Sequence, residues 1–75
     1  MTIDPTAKLP PYRQLADIIA GQIQRGELAK GSRIPTESEL IEMYEVSRST
    51  VRRTVAYLRE QHLIETVPQR GSYVL

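Results

Sequence analysis

Apolar residues along this chain keep a helical period in three places and lose it near the C-terminus. Tyr12, Leu15, Ala16, Ile19 and Ile23 recur at helical spacing, while Arg13, Asp17 and Gln24 fall elsewhere. This predicts an amphipathic helix over about 11–25. Pro10-Pro11 offers a proline at its start and Gly26 a stop at its end. Thr36-Glu37-Ser38-Glu39 reads as a capping box opening a second helix over 37–44, which buries Leu40 and Tyr44 with Ile41 or Met43 beside them. Val51, Val55 and Leu58, at i, i+4 and i+7, form the core stripe of a third helix, capped by Ser47 and running to about Gln61. Beyond it, 63–67 and 72–75 are β-rich and partly alternating around Pro68-Gln69-Arg70-Gly71, a hairpin signal. Ile34, ahead of Pro35, is expected to be extended. Residues 1–9 show no period and are expected to form a mobile arm, leaving 10–75 as the folded unit.

Composition narrows this to one small α+β domain, mainly helical with a small hairpin. Seventy-five residues support a single modest core, and with no Trp or Phe that core must be aliphatic. No cysteine is present, which excludes a disulfide scaffold or thiolate zinc site and fits a reducing cytosol. No apolar run approaches the roughly 20 residues that cross a bilayer. The net charge of +1 is unevenly placed: residues 1–45 carry −2 and residues 46–75 carry +3, every cation of the second part being Arg. Arginine is the side chain suited to bidentate contact with phosphate or guanine, so the uneven charge suggests a local footprint for an anion.

That footprint has a definite place. Arg48, Arg52 and Arg59 fall on one stripe of the third helix, beside its apolar stripe, with Ser49 and Arg53 further round. Stacked like charges do nothing for folding; the stripe is either a solvated basic face or a surface for a polyanion. Two helices joined by three residues, the second cationic in its leading half, match a helix-turn-helix. A duplex major groove, about 12 Å wide, admits such a helix. The amides opening the second helix could also seat a phosphate, although capping explains Thr36 and Glu39 equally well. Arg70 at the hairpin tip has no core to support and could reach a minor groove. Nothing points to an enzyme: the lone His62 has no base or ligand set, and no glycine-rich loop cradles a phosphate. No cofactor or metal is expected.

Helix, short strand, helix-turn-helix and hairpin together spell a winged helix-turn-helix. The segments Tyr12–Ile19, Gly26-Glu27-Leu28, Gly31–Glu37, Val46–Arg53 and Arg70–Val74 resemble the N-terminal DNA-binding domain of GntR-type bacterial transcriptional regulators, with a leaning toward the HutC-like branch. The resemblance covers residues 10–75. It implies sequence-specific binding of double-stranded DNA by a cytoplasmic regulator, usually a repressor, acting as a homodimer on a palindromic operator. It assigns Arg48 and Arg52 to guanine edges or phosphates, and Ser47, Ser49 and Thr50 to phosphate or register. Thr36, Ser38 and Arg53 join the candidate contacts, and Gln69, Arg70 and Gly71 form the wing that enters the minor groove. An effector ligand, if any, would belong to a domain absent from this chain, so the chain is expected to be a fragment or a small regulator dimerising by another surface. Four departures from the family pattern stand out: Ser38 replaces an arginine, Glu45 and His62 replace glycines, and Gln69 stands in the wing where glycine is favoured. The competing expectation is a winged helix whose basic face meets an acidic protein partner.

Overall fold

Three helices and a two-stranded antiparallel sheet make up the computed structural model, which describes residues 2–75. They are α1 (Pro11–Gln24), α2 (Glu37–Tyr44), α3 (Arg48–Glu60), β1 (Ile64–Val67) and β2 (Gly71–Val74). Each boundary has a local cause. Pro11 occupies the first turn of α1, where no amide partner is lost. The capping box of α2 is complete: the Glu39 amide donates to Thr36 Oγ1 at 3.2 Å, and the Thr36 amide donates to Glu39 Oε1 at 2.8 Å. Ser47 Oγ accepts from the Thr50 amide at 3.1 Å, starting α3. At the end of α3 the Leu63 amide reaches the Leu58 carbonyl at 3.1 Å and the His62 amide reaches Arg59 at 3.0 Å, with His62 left-handed at φ 60°. This pairing is a Schellman close, which satisfies carbonyls the helix would otherwise orphan.

The core is aliphatic, as composition demands. Leu15, Ala16 and Ile19 of α1, Leu40 of α2, Val51 and Leu58 of α3, and Ile34, Ile64 and Val74 are buried together. Helix α3 lies at the centre, packed against α1, α2 and β1. Its buried stripe differs from the expected one. Thr54 is fully buried and Val55 only partly, because Thr54 Oγ1 finds two carbonyls within reach, Tyr12 at 3.0 Å and Thr50 at 2.9 Å. A hydroxyl so satisfied can replace an aliphatic side chain in a core. On α2, Tyr44 is only partly buried and Met43 is 59% exposed, so Ile41 is the residue beside Leu40 that packs inward.

The hairpin pairs Ile64 with Val74 and Val67 with Gly71, so Gly71 opens β2 and does not belong to the turn. The turn is closed by the Arg70 amide donating to the Val67 carbonyl at 3.0 Å, with Pro68 second and Gln69 third at φ 63°. The extended segment before Pro35 lies along the outer edge of β2. Arg33 bridges Tyr73 antiparallel, the Ile34 amide donates to Ser72, and the Val74 amide donates to Ser32, both at 2.9 Å. This edge pairing fixes the hairpin relative to the start of α2. The leading segment, expected to be mobile, is tied to α1: Gln14 accepts from the Asp4 amide at 2.8 Å and donates to the Asp4 and Leu9 carbonyls at 2.7 and 2.6 Å. Ile3 packs against the core.

Candidate functional site

Helix-turn-helix geometry brings the start of α2 beside the start of α3 across the connection Glu45–Ser47. Glu45 adopts the left-handed conformation at φ 53°, which turns the chain sharply enough for the two helix starts to meet. There one carboxylate takes two guanidiniums: Arg52 Nε donates to Glu37 Oε2 at 3.1 Å, and Arg48 Nη1 donates to Glu37 Oε1. Arg48 and Arg52 lie one turn apart, and their side chains are 55% and 69% exposed. They point outward from the core as an open cationic ridge. The hydrogen bonds from Arg52 and then Arg48 hold the Glu37 carboxyl below its ordinary value, against an opposing effect of burial. A hydrogen bond from the Thr36 amide does the same for Glu39. Both acids therefore carry charge at neutral pH, and the arginine pair meets solvent already partly neutralised.

The remaining candidates separate into two groups. Thr36, Arg52 and Gly71 line one groove of about 440 Å³ between the start of α2, the outer side of α3 and the sheet. Ser49, Thr50 and Arg53 lie round the other side of α3, lining a shallower depression with Pro10, Pro11 and Tyr12. Arg53 is stacked there, its Cζ 4.1 Å from the centre of the Tyr12 ring. Tyr12 meets Tyr57 edge to face at 6.1 Å, and Arg13 lies 4.5 Å over Tyr57. Such cation–π contacts contribute about 0.5–1 kcal/mol each at exposed sites, so Arg53 is engaged in packing α1 on α3. Ser47 is committed as a cap, its Oγ also within 3.1 Å of Ser49 and 2.9 Å of Thr50 Oγ1. Ser38, Gln69 and Arg70 are exposed, the last two at the hairpin turn.

Sequence reasoning misses Glu37 as a member of the site and reads it only as a favourable acid at a helix start. Its pairing with residues 11 and 15 positions later becomes visible only once α2 and α3 are placed together. Arg33 likewise reads as a loop residue, although it lines the same groove as Arg52. Arg59, on the predicted stripe, is there too, donating from Nη1 to Thr66 Oγ1 at 2.9 Å.

The chain is similar to known proteins over nearly its whole length. The family model "Bacterial regulatory proteins, gntR family" matches residues 11–74. The mannosyl-D-glycerate transport/metabolism system repressor MngR of Escherichia coli K12 is 49% identical over 65 residues, 87% of this chain and 27% of MngR. The transcriptional repressor NagR of Bacillus subtilis is 32% identical over 99% of this chain and 30% of its own length. The chain thus spans under a third of these relatives. Among solved structures, AraR(DBD) in complex with operator ORR3 superposes with a TM-score of 0.88 at 35% identity, covering 92% of this chain and 83% of that one. YtrA of Sulfolobus acidocaldarius, described as a GntR-family transcription factor, gives 0.86 at 38% identity over 96% of this chain and 76% of its own.

Proposed function

The chain belongs to the gntR family of bacterial regulatory proteins, and from that premise we propose that it is the operator-reading module of a transcriptional repressor. Helix α3 enters the major groove of double-stranded DNA with its leading half. Arg48 and Arg52 make charge-assisted contacts to guanine edges or phosphates, and Ser49 and Thr50 set register from the neighbouring side. Thr36 and Ser38, at the start of α2, face a phosphate. Gln69, Arg70 and Gly71 reach the adjacent minor groove, whose narrowness strengthens its negative potential. The regulator works in the cytoplasm as a homodimer on a two-fold symmetric operator, and an effector, if any, is bound outside this module.

The observation that carries the reading is the exposed pair Arg48 and Arg52. The core stripe of α3 holds them one turn apart at the front of the helix, with the hairpin on the same side. A structural role alone would not require two exposed guanidiniums there, since surface pairs contribute at most about 1 kcal/mol. Selection of bound duplexes from a random pool tests it. Recovery of one preferred sequence, lost when Arg52 is replaced by Glu, supports the reading. Recovery of no preferred duplex overturns it.

A further inference from the structure

The groove between α3 and the sheet contains two arginines with no place among the base-reading contacts. Arg33 comes from the edge segment that pairs with β2, and Arg59 from the last turn of α3. With Arg52 they line one groove, in which Glu37 is the only acid among the described residues. Both are exposed; Arg59 is held by a hydrogen bond, and the stem of Arg33 packs over the hairpin. Arg59 donates to Thr66 Oγ1, which lies 2.9 Å from Ser72 Oγ across the two strands. Arg33 lies across Gly71, where a Cβ would come within 2.9 Å of its Cδ and 3.3 Å of its Cγ. Gly71 therefore leaves the space that the Arg33 stem fills.

We propose that this groove takes the sugar–phosphate strand running between the major groove entered by α3 and the minor groove reached by the hairpin, with Arg33 and Arg59 as its phosphate contacts. The inference rests on the DNA-binding reading above. Three cations line it against one carboxylate, and although Glu39 stands near enough to Arg33 to offset part of its charge, the excess of cations suits a phosphodiester strand. Thr66 and Ser72 lie on the same wall, their hydroxyls bonded to each other, which leaves one proton to donate. The groove is continuous with the cationic ridge through Arg52, so a strand leaving the ridge toward the hairpin turn passes through it. Contacts of this kind carry no sequence information, and they release counterions.

The test uses the 75-residue chain, the best duplex from the selection and a duplex of arbitrary sequence, with dissociation constants measured over a range of salt. Arg33→Gln and Arg59→Gln should each make the log–log salt slope shallower by about 0.9, the change expected when one phosphate is no longer neutralised. Each should weaken both duplexes by the same factor. Arg33→Lys and Arg59→Lys should restore the slope, because the charge and not the packing produces it. Unchanged slopes in the Gln variants, weakening confined to the selected duplex, or Lys variants that fail to restore the slope would each overturn the proposal. If Arg48→Ala removes sequence preference while the Gln variants leave the slope alone, this inference fails and the DNA reading stands. If the unaltered chain prefers no duplex, both fall together.

Discussion

Glu37 Oε2 accepts from Arg52 Nε at 3.1 Å while the other oxygen of the same carboxylate holds Arg48. On the DNA-binding reading, a phosphate or base edge would draw on the same donors, so the carboxylate competes with it. Glu37→Gln should release both arginines while leaving α2 capped, because the capping box uses Thr36 and Glu39. Affinity for duplexes of arbitrary sequence should then rise by roughly two- to five-fold, the worth of a surface ion pair. Discrimination between the selected duplex and the arbitrary one should fall. Fluorescence anisotropy on both duplexes measures this; unchanged affinities would mean the pair opens at no cost.

The same pair makes stability depend on pH. The Glu37 carboxyl is lowered by Arg52 and then Arg48, so in the folded chain it gives up its proton more readily than when unfolded. A depressed carboxyl contributes stability that is fully present above its unfolded value and is lost as pH falls through its folded value. Thermal midpoints of the unaltered chain and of Glu37→Gln should therefore differ at neutral pH and converge below the ordinary glutamate range. Glu39 is also lowered, by its bond from Thr36, but it is common to both proteins and cancels in the comparison.

Among the described residues, three other than glycine adopt positive φ: Glu45 at 53°, His62 at 60° and Gln69 at 63°. Each stands where the family resemblance places a glycine, and the structure keeps the backbone conformation without the residue that suits it. The left-handed form costs a residue with Cβ about 1–2 kcal/mol, and glycine gives back about 0.5–1 kcal/mol through its freer unfolded chain. His62→Gly should raise stability by the difference, up to about 1.5 kcal/mol. Urea unfolding should show a higher midpoint with an unchanged slope.

The fold is legible in the sequence where a period or a cap announces it: the three helices, the complete box at Thr36 and Glu39, and the hairpin. What escapes depends on pairings between distant segments. Thr54 reads as polar until the Tyr12 carbonyl is brought to it, 42 residues away in sequence. Arg53 reads as one more cation of the basic face until α1 lays Tyr12 beneath it. Within the candidate site, the arginines of α3 can be picked out from charge pattern alone. Glu37, Arg33 and the groove they share cannot, because no local spacing encodes the approach of α2 and the edge segment to α3.

Two core substitutions separate hydrogen bonding from packing in α3. Thr54→Val removes the hydroxyl that links α3 to the first turn of α1 and should cost about 0.5–1.5 kcal/mol, the net worth of a hydrogen bond. Leu58→Ala opens a cavity beneath the end of the helix and should cost about 2–5 kcal/mol. Chemical denaturation followed by circular dichroism ranks the two; equal losses would mean that the Thr54 bond to α1 is a principal fastening of the fold.

Alanine replacement of the four candidate arginines should sort them by position. Arg48→Ala and Arg52→Ala should each lower affinity for the selected duplex by roughly 1–3 kcal/mol, with little change in unfolding, since both side chains are largely exposed and their partner Glu37 keeps access to water. Arg70→Ala, at the hairpin tip, should weaken binding to all duplexes with less effect on major-groove preference, because the minor groove distinguishes little beyond A·T from G·C. Arg53→Ala should behave differently from all three. Its guanidinium is stacked on Tyr12, so its removal should lower stability by about 0.5–1 kcal/mol and change base preference less than Arg52→Ala does. Paired binding and unfolding measurements on the four variants decide the matter. If Arg53→Ala erased sequence preference while leaving stability intact, the base-reading face of α3 would have to be turned toward α1, and the groove between α3 and the hairpin would lie off the DNA.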